Sequence, residues 1–361
     1  MIKKISFENL RGFQDLKLPE LTQITLLTGK NSAGKSTVLE GIFLLMGASS
    51  PETFEKIRSL RGLPVATEIT KLWEPVFYNF DTTKPINISA VFDDHDLNLS
   101  YTRDDSFSTI DLKQDIQSTY ITFTSQLNSS YSLKYSFSVD DHKKTGHLFM
   151  NANGALAMAS ESEIKDQKQT ISLGNNTLFI RSAAAPAIDD AGLASWFGDL
   201  ELTGEQQLVV DALRIIDPTI MEIKTIVQNR YVQLYIKTEN ATMPIKLTGD
   251  GMCKLIYIVL SILQNPNSII LIDEIENGFH YSMQESFWKT LAYAAKKSNS
   301  QIIATTHSYE CINHAVHGID QADMLNDFSL YRVDRFGEKT KAVHYSGDLL
   351  KDAVLADMEV R

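Results

Sequence analysis

Ile24-Thr-Leu-Leu-Thr28, followed by Gly29-Lys-Asn-Ser-Ala-Gly34-Lys35-Ser36-Thr37, decides how this chain folds. The first run is short and apolar and ends on a glycine, the pattern of a buried strand feeding a loop. The second fits G-x-x-x-x-G-K-[ST] in full. From Ser36 onward Val38, Leu39, Ile42, Phe43, Leu45 and Met46 recur at three- and four-residue spacing until Gly47, a helix stop. A strand, a glycine-rich loop and a helix in that order make a phosphate cradle. Glycines let the backbone close around phosphate oxygens, and successive N–H groups with the helix N-terminus supply positive dipole. Gly29, Asn31, Ser32, Ala33, Gly34, Lys35, Ser36 and Thr37 are the expected ATP-contacting set, with Lys35 reaching the β- and γ-phosphates and Ser36 ligating Mg²⁺.

Such a cradle needs a distant acidic strand end, and Ile269-Ile-Leu-Ile-Asp273-Glu274 supplies one. Asp273 is expected to hold the Mg²⁺ water shell and Glu274 to polarise the attacking water. Two acids ending a strand are otherwise a common turn; beside the glycine loop they complete a second half of one site. The third piece is Thr305-Thr306-His307-Ser308 after the strand 301–305. A lone histidine is usually structural. At a strand's carboxyl end, on the edge where ligands gather in parallel sheets, His307 is a candidate sensor of the γ-phosphate.

Composition sets the class. The chain has 361 residues, 43% hydrophobic and 22% charged, enough for a sizeable core. Its longest apolar run, Leu255–Leu263, is broken by Ser261 and falls short of the ~20 residues that cross a bilayer. Met1-Ile-Lys-Lys-Ile-Ser lacks a signal peptide's apolar stretch, so a cytoplasmic location without a membrane partner is expected. Cys253 and Cys311, alone and helical, cannot build a disulfide framework. A net charge of −11 argues against an all-over nucleic-acid footprint, leaving only a local basic groove for DNA.

Texture divides the chain. Residues 1–47 and 200–361 read as an α/β nucleotide-binding core, and 48–199 as an inserted α+β lobe. The lobe carries short strand patterns at Ile86–Phe92, Leu97–Tyr101, Tyr131–Phe137 and Thr177–Ile180. Within it Ser160–Gln169 reads as a polar loop or exposed helix. A helix is expected from Gly204 to Asp217-Pro218, then strands at Ile223–Val227 and Tyr231–Ile236, a helix after Gly251, and a closing hairpin of Phe328–Val333 with Lys341–Tyr345.

Three further stretches resemble a known group, the ABC-type AAA ATPases of the SMC, RecF and OLD kind. Phe7-Glu-Asn-Leu10-Arg11-Gly12-Phe13 resembles the opening motif of SMC/RecF ATPases, whose arginine lies close to bound phosphates; the resemblance assigns that role to Arg11. Thr248-Gly249-Asp250-Gly251-Met252 resembles a degenerate ABC signature, with Asp250 departing from the usual glycine. Read from its residues alone, this Gly-Asp-Gly is equally a tight turn with a helix N-cap. Ile272-Asp-Glu-Ile-Glu276-Asn277-Gly278-Phe-His280 is similar to the extended Walker B and D-loop of the OLD-related enzymes.

The resemblance implies a P-loop NTPase core, ABC/SMC-head-like, that binds ATP between two subunits, Gly249, Asp250 and Gly251 of one copy facing the phosphates held by the other. A homodimer or higher homo-oligomer follows. Sustained heptads are missing, which disfavours an SMC-type tether, and 54 residues after His307 are too few for a second domain of about 100 residues. Any effector, a nuclease or toxin, is therefore expected on a separate chain, as in anti-phage defence ATPases of the PARIS sensor type. A RecF-like DNA-repair ATPase is the alternative, and a transporter ATPase fits the opening motif and the signature poorly.

Overall fold

The computed structural model describes residues 1–48, 50, 52–64, 69–106, 132–150, 156–160, 177–181 and 190–360. In chain order the first half runs β1 (Ile2–Leu10), β2 (Phe13–Leu18), β3 (Ile24–Thr28), α1 (Lys35–Met46), α2 (Glu52–Leu60), α3 (Ile69–Trp73), β4 (Ile86–Phe92), β5 (His95–Asp104), β6 (Ser132–Val139), β7 (His142–Met150), β8 (Leu156–Ser160) and β9 (Thr177–Arg181). The second half runs α4 (Asp190–Thr203), α5 (Gln207–Arg214), β10 (Ile220–Gln228), β11 (Tyr231–Thr238), β12 (Thr242–Pro244), α6 (Asp250–Gln264), β13 (Ile269–Asp273), α7 (Tyr281–Ser298), β14 (Gln301–Thr305), α8 (Tyr309–Asp320), β15 (Phe328–Phe336), β16 (Lys339–Ser346) and α9 (Gly347–Leu355).

The strands form three sheets. The central one has the order β16-β15-β3-β14-β13-β9. Its inner members β3, β14 and β13 run parallel, and all five residues of each are buried. A parallel sheet covered on both faces demands continuous apolar strands, which these runs are. Their carboxyl ends therefore share one edge, where Gly29, Glu274 and Thr306 leave the sheet. The antiparallel sheet β2-β1-β4-β5-β6-β7-β8 packs its alternate residues, among them Phe7, Ile88, Leu99 and Tyr135, over α1 in one core cluster. A three-stranded sheet, β10-β11-β12, packs with α4 to α8 in the second cluster.

The sheets cross the expected division of the chain. β1 and β2 pair with the strands of the 48–199 segment, whereas β9, inside that segment, pairs with β13 of the central sheet. The helix expected from Gly204 to Asp217 is shorter, ending at Arg214 before the turn at Asp217-Pro218. Most of the polar stretch Ser160–Gln169 lies outside the described residues.

Candidate nucleotide site

The cradle forms as its sequence requires. Gly29 at φ +134°, Ser32 at +63° and Gly34 at +105° turn the chain between β3 and α1. A Cβ on Gly29 would stand 2.2 Å from the Val333 carbonyl oxygen, so only glycine lets the loop start this close to β15. Among the described residues no side chain caps the N-terminus of α1, and no acidic residue occupies its first turn. Its free N–H groups and positive dipole end are available to an anion. Lys35 Nζ donates to the carbonyl oxygens of Gly29 at 2.7 Å and Lys30 at 3.1 Å. Burial pushes its ammonium pKa down, against the opposing pull of Asp273, Glu276 and Glu274.

Ser36 and Asp273 meet here: Ser36 Oγ donates to Asp273 Oδ1 at 2.9 Å, and Thr305 Oγ1 donates to the same oxygen at 2.7 Å. Asp273 is buried. A hydroxyl and a carboxylate side by side are a hard-oxygen pair of the kind Mg²⁺ takes while keeping its remaining positions for water and phosphate. Next in the chain, Glu274 sits at φ +51°, a left-handed kink at the strand end. Its N–H donates to Thr305 Oγ1 at 2.8 Å, and Asn277 Nδ2 donates to its Oε2 at 2.9 Å. The catalytic candidate is thus fixed at both backbone and carboxylate.

A cavity of about 490 Å³ joins these groups; its walls include Lys35, Ser36, Asp273, Glu274, Thr305 and His307. Asn31, Ser32, Ala33, Gly34 and Thr37 complete the cradle wall.

Arg11 is placed otherwise. Its Nε lies 2.8 Å from Oε2 of the buried Glu40 on α1, and Arg61 Nε lies 2.6 Å from the other oxygen. The cavity wall carries Arg61 and Arg335, and Arg11 is not among its residues. Burial lowers the pKa of the Arg11 guanidinium, with Glu40 opposing. An acid on a buried helix face implies a cation nearby, so Glu40 was the available signal; which arginine lines the cavity is decided by tertiary placement. Arg335 had no such signal.

Gly249, Asp250 and Gly251 do not line the cavity either. Gly249 is the N-cap of α6, with no side-chain cap, and a Cβ on Gly251 would lie 2.6 Å from the Gly278 carbonyl oxygen. Lys254, one turn along α6, donates from Nζ to the carbonyls of Ile275 at 2.9 Å and Asn277 at 2.7 Å and lies 5.1 Å from the Phe279 ring centre. Burial brings its pKa down to about 8 despite the attraction of Glu276. The loop at 249–251 and the segment after Glu274 are therefore one packed unit, a contact that no sequence spacing announces.

Cradle, carboxylate strand end and parallel central sheet together define a P-loop nucleotide-binding protein. The chain belongs to the family described as "AAA domain, putative AbiEii toxin, Type IV TA system", whose model matches residues 24–313. It is similar to an ATP/GTP phosphatase of Helicobacter pylori, 23% identical over 347 residues, covering 92% of both chains. It is also similar to an OLD nuclease of Thermus scotoductus, 36% identical over 93 residues, which is 26% of this chain and 15% of that protein. A DNA replication and repair protein RecF of Hahella chejuensis is 41% identical over 54 residues, 15% of this chain and 14% of that one. Among solved structures, an SMC head bound to the C-terminal winged-helix domain of ScpA has TM-score 0.51 at 16% identity, covering 96% of this chain and 98% of that one. An SMC head with an extended coiled coil, bound to the C-terminal domain of ScpA derived from Pyrococcus furiosus, has TM-score 0.50 at 12% identity, covering 99% of each chain. The fold is that of an ABC/SMC-type ATPase head.

Proposed function

We propose that this protein binds and hydrolyses Mg-ATP, and that nucleotide occupancy joins two copies whose assembly holds or releases a separate effector, a nuclease or toxin, in bacterial anti-phage defence. The observation that carries hydrolysis is the junction of Ser36, Asp273 and Thr305, with Glu274 fixed beside it. In the reaction a water oxygen bonds to the γ-phosphorus as the bond to the β,γ-bridging oxygen breaks. ADP leaves with that electron pair, and the water proton passes to Glu274. Lys35 and the N–H groups of residues 29–36 hold the phosphates, and Arg61 and Arg335 line the same cavity. Ser36 and Asp273 would hold magnesium, which would supply charge neutralisation at the phosphates.

Assembly is supported by the second unit. Gly249 to Gly251 open α6, and Gly251 packs against Gly278; Leu247, two residues before this loop, and Tyr281, three after Gly278, are 74% and 59% exposed. Large exposed apolar side chains around a helix N-terminus suit a face that meets a second copy's phosphates. The effector rests on likeness: the family description names a toxin and a toxin–antitoxin system, and one relative is a nuclease. Among the described residues no helix is long and apolar enough to cross a membrane, and we place the protein in the cytoplasm.

The test is ATP turnover by wild type, Lys35→Ala and Glu274→Gln. The reading expects Lys35→Ala to lose nucleotide binding and Glu274→Gln to keep binding without turnover; equal loss of binding in both would sink it. The second reading, a DNA-binding repair ATPase, is favoured by the RecF and SMC likenesses and disfavoured by the net charge of −11. Tight, salt-sensitive duplex binding by the ATP-bound assembly would select it.

A further inference from the structure

Two arginines line the nucleotide cavity, and they are held differently. Arg61 donates to the buried Glu40. Arg335 is exposed, has no acid partner among the described residues, and donates from Nε to the Gly337 carbonyl oxygen at 3.1 Å. Strand order fixes where it stands. β15 runs parallel to β3 with Arg332 opposite Thr28, so Arg335 lies three residues past that pair, beyond the sheet edge and beside the phosphate loop. In the order β15-β3-β14-β13 it flanks the loop on one side, whereas Asp273, Glu274, Thr305 and His307 belong to the strand ends on the other. Its Nη1 lies 4.0 Å from where a Cβ on Gly12 would stand, so Arg335 and the turn between β1 and β2 close that end of the cavity together. Among the described residues no phenyl, phenol or indole ring lines the cavity.

We infer that the Arg335 guanidinium is the platform on which the nucleobase stacks, and that the site takes purine nucleoside triphosphates without telling adenine from guanine. The inference rests on the nucleotide-site reading above. A terminal phosphate beside Ser36, Asp273 and Glu274 occupies the β13 and β14 side of the loop, so the phosphate chain leads back past Lys35 toward β15 and delivers the nucleoside to Arg335. A guanidinium is planar and always charged, and its face takes a purine ring by stacking and cation–π attraction. The Nε–H bond to Gly337 holds the root of the fork, and Gly12 beside it presents no side chain to cover the plane. Contact with the face of a base measures the extent of its π-system and leaves its edge groups unread. Adenine and guanine offer equal faces. A single-ring pyrimidine offers a smaller one.

Titration calorimetry of the full chain with the magnesium complexes of ATP, GTP, CTP and inorganic tripolyphosphate tests this. Wild type should bind ATP and GTP within about threefold of each other and CTP several-fold more weakly. Arg335→Ala should weaken ATP and GTP about 10-fold while changing tripolyphosphate less than about threefold. Arg335→Lys keeps the charge but not the plane, and should behave like the alanine variant. Equal weakening of ATP and tripolyphosphate by Arg335→Ala overturns the inference, because the arginine then holds phosphate. Full recovery by Arg335→Lys overturns it too, since charge alone then suffices. So does a strong preference for GTP that Arg335→Ala abolishes, the mark of a fork reading the guanine edge. Failure of the nucleotide reading itself shows separately: wild type then binds none of the four compounds, and the inference falls with it.

Discussion

Ser36 Oγ and Asp273 Oδ1, 237 residues apart in the chain, lie 2.9 Å from each other. Their meeting at the edge where β3 and β13 end turns two sequence motifs into one site. Ser36→Ala removes one oxygen of the pair and leaves the loop backbone in place. It should weaken Mg-ATP binding about 10- to 100-fold while leaving metal-free ATP binding nearly unchanged. Titration calorimetry with and without Mg²⁺ checks this; equal weakening in both conditions contradicts it.

Gly29 should be the least replaceable residue of the cradle. A Cβ there would stand 2.2 Å from the Val333 oxygen and the backbone is at φ +134°, so Gly29→Ala must displace the loop or β15. We expect a loss on the order of 2–4 kcal/mol in urea denaturation. Gly62→Ala, with positive φ but no atom of the described residues within 4 Å, should cost only about 1 kcal/mol. Similar costs at both sites would show that the close packing on β15 is unimportant.

Gly251→Ala separates binding from assembly. Its Cβ would press 2.6 Å from the Gly278 oxygen and tilt α6 away from the turn after Glu274. Since residues 249–251 lie outside the cavity wall, nucleotide affinity of the single copy should stay within about threefold of wild type. ATP-driven association should be lost. Reduced affinity without any change in association would contradict the assigned place of this loop.

Lys254 gives stability a pH dependence of definite sign. Its pKa, lowered by burial from 10.5 in the unfolded chain to about 8, means that folding disfavours the ammonium. The penalty is full below pH 8, shrinks as pH rises from 8 to 10.5, and vanishes above; its limit is on the order of 3 kcal/mol. Urea denaturation of wild type and Lys254→Met at pH 7 to 10 should show the stability difference moving in favour of wild type as pH rises. A difference that is flat, or moves the other way, contradicts the burial argument.

The central sheet was legible because full burial leaves no choice of residue. Ile24–Thr28 and Gln301–Thr305 appear as strands at their expected bounds, and Asp273, Glu274 and His307 follow at strand ends as read. β2 was not read, since Phe13–Leu18 alternates with exposed charged and polar residues and offers only half a face. Nor was the ownership of strands by sheets legible: Thr177–Arg181 is an ordinary strand pattern, and only tertiary pairing puts it beside β13. At the site, motifs named the groups proposed to touch phosphate. Arg61, Arg335 and Lys254 belong to no spacing rule; they are defined by what folds against them.

The most direct measurement of the central claim is the mass in solution of wild type and Glu274→Gln, by light scattering, with and without Mg-ATP. The account predicts that Mg-ATP at least doubles the mass of Glu274→Gln and shifts wild type only transiently. A Glu274→Gln protein that binds Mg-ATP and keeps a monomer's mass would contradict it.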